Sequence, residues 1–256
     1  MTPASPFRDA PSCPGGDFPW KKYYWRRPRV RREFEGDYWG EVLDPDGRKR
    51  NLLEEREQKI RDQQAEIRFV NGLSPGRVLD VGCGPGVTLS AIDPAWEKHG
   101  TEVSRLAAEL AGDAAKVFHG DLHEARYEAA SFDVVMLIHV LRYIDDPAAC
   151  IAEVLRILKP GGKLVLAEAD YDSGCARRFE SKYRLLHDQG IINLFTSFSL
   201  IRLLEDYGFG ILRIEYPFFE TQWFNRESLE RLFNVNTMSP PFYGNFITAY
   251  ATKGTE

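Results

Sequence analysis

The pattern of apolar and polar positions divides the chain near residue 74. Beyond that point, short apolar runs alternate with segments whose apolar residues recur at helical spacing. Five strands are predicted, at residues 77–81, 101–103, 116–119, 132–138 and 163–167. The run at 132–138 is almost continuously apolar, as a strand buried on both faces requires. This alternation predicts an α/β fold with a parallel sheet, right-handed crossovers and helices on both faces.

Polar signals mark the ends of several helices in this part. Asp146 followed by Pro147 is typical of a helix start. Ser199 is a candidate cap for a later helix that Gly208 closes. Two more strands are predicted at 211–218 and 246–253, and residues near 219–245 form an insertion between them. Residues 74–256 are therefore predicted to form one domain.

The first 73 residues have a different character. Residues 1–19 are rich in Pro, Gly and Ser and are predicted to be a flexible tail. Residues 20–39 alternate basic and aromatic side chains, and such aromatics are expected to pack on something. A surface helix is predicted from Asn51 to about Asn71, with Glu55–Lys59 and Glu57–Arg61 as ion pairs one turn apart.

Composition narrows the class of protein. The chain has 256 residues, of which 43% are hydrophobic and 28% charged, as in ordinary globular proteins. No apolar run reaches 18 residues, and the first residues lack an apolar signal-peptide core, so a cytoplasmic location without a membrane span is expected. The four cysteines are scattered without metal-ligand spacing, and no metal site is expected.

Charge is unevenly distributed. The net charge is −5, but residues 1–50 carry +3, which leaves −8 on the remainder. An acidic body argues mildly against a protein that coats nucleic acid.

The candidate chemistry lies where the first strand of the domain ends. Asp80 leads into a glycine-rich turn at Gly82, Cys83, Gly84 and Gly86. Glycines let a backbone turn sharply and approach a ligand closely. Open parallel sheets bind ligands beyond the carboxyl ends of their strands, which is where this turn is predicted.

Two carboxylates strengthen that prediction. Glu102 lies at the end of the second strand, where a carboxylate can accept both hydroxyls of a ribose. Asp121 follows the third strand and can accept a hydrogen bond from an adenine amino group. Together with the turn, they predict a site for an adenosyl cofactor.

These motifs resemble those of class I S-adenosylmethionine-dependent methyltransferases. The resemblance covers residues 77–167 directly, and the matching pieces are Val78-Leu-Asp-Val-Gly-Cys-Gly-Pro-Gly86, Gly100-Thr-Glu-Val-Ser104, Gly120-Asp121, Phe132-Asp-Val-Val135 and Glu153-Val-Leu-Arg-Ile-Leu-Lys-Pro-Gly-Gly162. It implies a Rossmann-like, doubly wound sheet of seven strands, mostly parallel, with the last strand inserted antiparallel.

The resemblance also implies a cofactor and its contacts. S-adenosylmethionine would be the methyl donor, and S-adenosylhomocysteine the product. Asp80 and the backbone of the glycine turn would hold the methionine part, and Glu102 the ribose. Asp121 with Leu122 would hold the adenine, and Ile138 at the end of the fourth strand would also contact the cofactor.

Two departures limit the comparison. A dinucleotide site needs a third glycine or an alanine where this chain has Leu89, so a nicotinamide dehydrogenase is disfavoured. Many members of the family carry Leu-Glu-His after the fourth strand, where this chain has Leu141-Arg-Tyr143. Details of the acceptor site therefore do not transfer.

The acceptor side offers candidates without a fixed constellation. His139 follows the fourth strand and is the candidate base, with packing against the cofactor as the alternative. The other candidates are Tyr143 for catalysis and Arg142, Asp170, Tyr171 and Tyr24 for binding the acceptor.

Three functions stay open for the chain. The leading one is methyl transfer to a small molecule. The second is an RNA or protein methyltransferase that grips its substrate with residues 20–39, and the third is an inactive partner subunit that binds the cofactor. The same basic and aromatic segment is a candidate lid over the site, or an extension packed on the domain.

Overall fold

The computed structural model describes residues 18–29, 34, 36–44, 47, 49–188, 190–217, 224–240 and 245–255. The predicted tail at 1–19 falls almost wholly outside these residues, as do parts of the predicted insertion at 219–245.

The described N-terminal residues form short elements. These are β1 (Tyr24–Arg26), α1 (Gly36–Gly40), β2 (Val42–Leu43), β3 (Lys49–Arg50), α2 (Arg56–Asp62) and α3 (Gln64–Asn71). The main domain follows with β4 (Arg77–Val81), α4 (Val87–Ala91), β5 (Glu97–Glu102), α5 (Arg105–Ala111), β6 (Lys116–His119), β7 (Phe132–Ile138), α6 (Pro147–Ile157), β8 (Leu158–Ala169), α7 (Gly174–Phe179), β9 (Asn193–Phe195), α8 (Ser197–Asp206), β10 (Phe209–Glu215), α9 (Arg226–Arg231) and β11 (Phe246–Lys253).

The central sheet has seven strands in the order β10-β11-β8-β7-β4-β5-β6. Strand β11 runs antiparallel to both of its neighbours, β8 and β10, while the other pairs are parallel. The seven-stranded, mostly parallel sheet with the last strand inserted antiparallel is therefore confirmed. Strand order reverses between β4 and β7, and this switch point lies directly beneath the glycine turn.

Side chains alternate between the two faces of the sheet, and helices cover both. On β7, Val135 and Leu137 pack into one core cluster with residues of α6 and α8. Val134 and Met136 pack into another with residues of α3 and α4. Because side chains on both faces of β7 are buried against helices, the sequence of the strand is one nearly continuous apolar run.

Capping interactions fix several helix starts. Asp146 accepts a hydrogen bond from the backbone N–H of Ala149 at the start of α6, as the sequence predicts. The predicted cap of α8 is wrong by three residues. Thr196 caps that helix, and Ser199 returns a hydrogen bond to it in a capping box. Both residue types accept such bonds, so the pattern alone does not choose between them.

The predicted helix from Asn51 to Asn71 is interrupted. The Asn51 side chain accepts from the backbone N–H groups of Leu53 and Glu54 and closes a turn, and α2 begins only at Arg56. The chain breaks again between α2 and α3 at Gln63. The helix pair is also less exposed than expected, because Glu66 and Val70 are buried against the sheet.

The segment before α1 is fixed to the domain by a second, small sheet. Strand β1 pairs antiparallel with β9, with Trp25 opposite Leu194. Trp25 is buried in a third core cluster that includes Tyr171 and Tyr183. The predicted packing of the aromatic segment is confirmed for Trp25.

Candidate active site

The glycine turn after β4 is tightly enclosed by other parts of the chain. Gly82 and Gly84 adopt φ values of 67° and 55°, which L side chains rarely adopt. A Cβ on Gly82 would lie 2.5 Å from Cγ2 of Val140, and one on Gly84 would lie 2.9 Å from the Trp39 ring. The turn therefore has room for backbone only, and it lies against both the end of β7 and the N-terminal segment.

Two buried carboxylates flank the turn, as the sequence predicts. Asp80 is 3% exposed, and burial raises its pKa to about 7 against the opposing effect of Lys59. Glu102 accepts hydrogen bonds at 2.8 Å from the backbone N–H groups of Gly84 and Ser104. Each of its oxygens has a second lone pair, so Glu102 can organise the turn and still accept hydroxyl groups.

Lys59 is the site residue that the sequence interpretation missed. It projects from α2 toward the turn, and its Nζ lies 3.9 Å from the position that a Gly84 Cβ would take. Burial lowers the pKa of the amine, while Asp80, Cys83 and Glu102 raise it. Within the described ranges it has no hydrogen-bond or ion-pair partner. The predicted partner, Glu55, pairs with Arg50 instead.

The other predicted cofactor residues lie around the same edge with different exposure. Asp121 is exposed at the end of β6, where Oδ1 accepts from the N–H groups of His123 and Glu124. Leu122 and Cys83 are buried in the core, and burial raises the pKa of the thiol. Their side chains lie in the core beneath the site. Gly86 precedes α4 as its N-cap residue, and Ile138 is the half-buried last residue of β7.

His139 lies beside the turn in a strained backbone conformation. Its φ is 60°, although it has a Cβ, and its N–H donates to the carbonyl of Ala167 at 2.8 Å. The next residue, Val140, is the one that closes on Gly82. The half-buried imidazole packs on Phe246 with 4.9 Å between ring centroids. Strain at a site-facing residue is typical of a functional position.

Arg142 and Glu168 lie behind the imidazole as a buried ion pair. Nε of Arg142 donates to Oε2 of Glu168 at 2.8 Å, and Nη2 lies 2.8 Å from Nδ1 of His139. Burial is the largest influence on the pKa of His139, and with the charges of Arg142 and Lys59 it lowers that pKa well below its ordinary value.

The remaining acceptor-side predictions need correction. Tyr171 is 2% exposed and packs on Tyr183, so its ring belongs to the core rather than to a substrate contact. Asp170 is 4% exposed and accepts from two backbone N–H groups, those of Asp172 and Ser197. Loop carboxylates and aromatics after a strand can face either way, and the sequence carries no sign of which.

Tyr143, Tyr24 and Arg142 are also committed to the protein's own contacts. The Tyr143 hydroxyl donates to Asp188 at 3.2 Å. Tyr24 packs on Phe195 at 5.4 Å between ring centroids. Arg142 is 5% exposed and is held by Glu168. It can therefore influence a ligand at the site only through its contact with His139.

An aromatic row covers the turn from the N-terminal side. The Trp39 indole N–H donates to Oγ of Ser104, and the ring lies over Gly84. Ring contacts then run from Trp39 to Tyr38, Phe34 and Tyr143, with centroids 4.9, 5.1 and 5.4 Å apart. The row joins the cofactor side of the site to the residues after β7.

Most of the described basic residues near β1 are engaged by the domain itself. Lys22 pairs with Asp206 at 3.0 Å, Arg26 and Arg29 pair with Asp145, and Arg27 donates to the carbonyl of Asp188. Their charges pair the segment with carboxylates and carbonyls of the main domain.

The comparisons with known proteins agree with this geometry. A family model for a methyltransferase domain matches residues 52–214. Among solved structures, a SAM-dependent methyltransferase from Archaeoglobus fulgidus superposes with a TM-score of 0.60 at 19% identity, covering 79% of this chain and 98% of that one. The chain belongs to the class I S-adenosylmethionine-dependent methyltransferases, and its cofactor is S-adenosylmethionine.

Two curated relatives are more specific in name. A ubiquinone biosynthesis O-methyltransferase from Xanthomonas oryzae is 36% identical over 112 residues, which is 37% of this chain and 44% of that protein. A sterol 4-C-methyltransferase from Caenorhabditis elegans is 29% identical over 132 residues, 46% of this chain and 40% of that protein. The matches thus span less than half of either relative. In the described part of the chain, no helix is both long and apolar enough to cross a membrane.

Proposed function

We propose that the chain transfers a methyl group from S-adenosylmethionine to a small-molecule acceptor in the cytoplasm. The observation that carries the proposal is the set of charged groups around the glycine turn: Asp80, Glu102 and an unpaired Lys59, beside the half-buried His139. The curated relatives include one that methylates oxygen and one that methylates carbon, so the acceptor atom is an outcome of the test.

The charged groups fit the amino-acid end of the cofactor. A methionine moiety presents an ammonium and a carboxylate, and the site offers a buried carboxylate at Asp80 and a cation at Lys59. Charge-assisted hydrogen bonds of this kind are the strong ones. Glu102 would accept the ribose hydroxyls, and Asp121 would lie at the adenine end. The carboxylate of the cofactor would give Lys59 the partner that it lacks among the described residues.

The chain's own part in the reaction is orientation and exclusion of water. When bound, S-adenosylmethionine would supply the activated methyl group. An electron pair of the acceptor would form the new bond to carbon, and the electrons of the broken carbon–sulfur bond would stay on sulfur. Trp39 and the aromatic row from residue 34 to residue 39 would cover the cofactor as a lid. His139 would lie beside the acceptor.

The pairing of basic residues near β1 favours a small acceptor over RNA. Lys22, Arg26 and Arg29 are engaged by Asp206 and Asp145, and the body of the chain is acidic. A polyanion would have to displace those pairs.

Calorimetry and methyl-transfer assays test the proposal. The full chain should bind S-adenosylhomocysteine, and isotope-labelled S-adenosylmethionine should label members of a panel of phenols, carboxylic acids and sterols. Total RNA serves as the competing substrate. Absence of binding to either cofactor form would refute the proposal, and label recovered in RNA rather than in small molecules would favour the second hypothesis.

A further inference from the structure

We propose that His139 serves the methyl acceptor as a hydrogen-bond donor through Nε2 and takes no proton from it, with Arg142 and Glu168 holding the ring in that state. The inference rests on the proposed methyl transfer. It replaces the role of base that the sequence predicts for His139.

The nitrogen that faces Arg142 decides the tautomer. A guanidinium has five N–H donors and no acceptor, so Nδ1 of His139 must accept the hydrogen bond across the 2.8 Å to Nη2. The single proton of the neutral ring then lies on Nε2. A base needs a free lone pair that faces its substrate, but the lone pair on Nδ1 is used and Nε2 has none.

Buried contacts hold Arg142 in this orientation. Glu168 accepts from Nε of Arg142 at 2.8 Å and from its backbone N–H at 3.1 Å, and both side chains are almost fully buried. Turning the guanidinium away would leave Glu168 as an unpaired buried charge, which is strongly unfavourable. The ring of Phe246 packs on the imidazole and lies 6.0 Å from the guanidinium carbon. The imidazole is therefore held between the Phe246 ring and the guanidinium.

The charges around the imidazole oppose its protonation. Arg142 and Lys59 are both cations, and Glu168 is engaged by Arg142 rather than by the ring. The ring contact that the described residues of β11 make with the imidazole is that of the apolar Phe246. An imidazolium would place an Nδ1–H against a guanidinium N–H, two donors facing each other. The neutral form with its proton on Nε2 is the state that all these neighbours permit.

The Nε2–H group is accessible beside the glycine turn. Nε2 has no hydrogen-bond partner among the residues that the structure describes. It is not fully buried either, in contrast to the unpaired Oδ1 of Asn245. A donor in this place binds an oxygen lone pair, so the acceptor class is one with a carbonyl, carboxylate, phenolate or enolate oxygen at this point. The proton of an acidic hydroxyl leaves to water before transfer, and Nε2–H stabilises the anion.

Nitrogen NMR of the free protein tests the tautomer without any turnover. In protein labelled with ¹⁵N-histidine, the signal lost in His139→Gln identifies His139 among the five histidines. We expect an unprotonated Nδ1, a protonated Nε2 and no titration between about pH 5.5 and 8. Arg142→Lys keeps the positive charge but cannot hold Glu168 and Nδ1 of His139 together, so a population with the proton on Nδ1 should then appear. A proton on Nδ1 or titration in the wild-type protein would overturn the proposal.

Kinetics separate a donor from a base once an acceptor is found in the labelling panel. The amide N–H of His139→Gln can replace Nε2–H, whereas His139→Leu has neither donor nor base. We expect kcat/KM to be at least about tenfold higher for the glutamine variant than for the leucine variant. Equal loss in both variants would overturn the donor role. If the protein bound no cofactor, the proposed methyl transfer would be refuted, whereas the NMR result on the tautomer of His139 would still hold.

Discussion

Replacing Lys59 with glutamine removes the one cation that faces the glycine turn from α2 and keeps much of its aliphatic stem. In the free protein the amine has no partner among the described residues, so the variant should fold as the wild-type protein does. In the complex the amine would hold the carboxylate of the cofactor. Hydrogen bonds to charged groups contribute about 1.5–3 kcal/mol, which corresponds to a rise in Kd of about tenfold to 150-fold.

Calorimetry with S-adenosylhomocysteine measures that change in affinity. Lys59 also lowers the pKa of Asp80, so its loss would leave more of that carboxyl protonated near neutral pH. Titrations over a series of pH values from about 7 to 9 separate this indirect effect, which weakens as pH rises, from the direct contact. The control Arg61→Gln removes a positive charge from the exposed side of the same helix, where Arg61 pairs with Glu57, and should leave Kd unchanged.

A ligand without the carboxylate completes the cycle. Decarboxylated S-adenosylhomocysteine should bind the wild-type protein and Lys59→Gln with the same affinity, because the group that Lys59 holds is absent from it. Equal weakening for both ligands would show that the variant acts through the shape of the site. A loss below about threefold for S-adenosylhomocysteine would refute the contact itself.

Three further predictions concern the turn and its cover. Affinity for S-adenosylhomocysteine should rise as pH increases through about 7 and level off above it, because Asp80 must lose its proton to pair with the ligand ammonium; in calorimetry, Asp80→Asn should bind weakly with no such rise. Gly82→Ala should lower the free energy of unfolding by about 1–3 kcal/mol more than Gly208→Ala, since both have positive φ but only Gly82 meets Val140, and equal denaturant midpoints would contradict this. Tryptophan emission should change when S-adenosylhomocysteine binds and should lose that change in Trp39→Phe; an unchanged response would show that Trp39 does not cover the ligand.

The apolar pattern is sufficient for three largely buried strands and also for β6, which is mostly exposed. Strands β4, β6, β7 and β11 begin and end where the pattern predicts. It failed for β5, whose first residues include Glu97 and His99, because their side chains interact with each other and with Lys116 at the edge of the sheet. Polar ladders of this kind carry no hydrophobic signal.

The cofactor side of the site was more predictable than the acceptor side. Asp80 and Glu102 occupy positions that backbone topology fixes, at the ends of adjacent strands. The spacing predicts Lys59 as half of an ion pair on a helix surface. Tertiary packing instead brings its Nζ to the glycine turn, while Glu55 pairs with Arg50. The role of Arg142 depends on Glu168, 26 residues away, and sequence spacing does not encode such a contact.

The insertion of β11 between β8 and β10 has a consequence for synthesis on the ribosome. Strands β4 to β8, which carry the glycine turn, His139 and Glu168, leave the exit tunnel first and can pair in order. Strand β10 has no neighbour in the sheet until residues 246–253 arrive, because β11 is its only partner among the described strands. The nascent chain must therefore hold β10 without its neighbour until β11 closes the sheet.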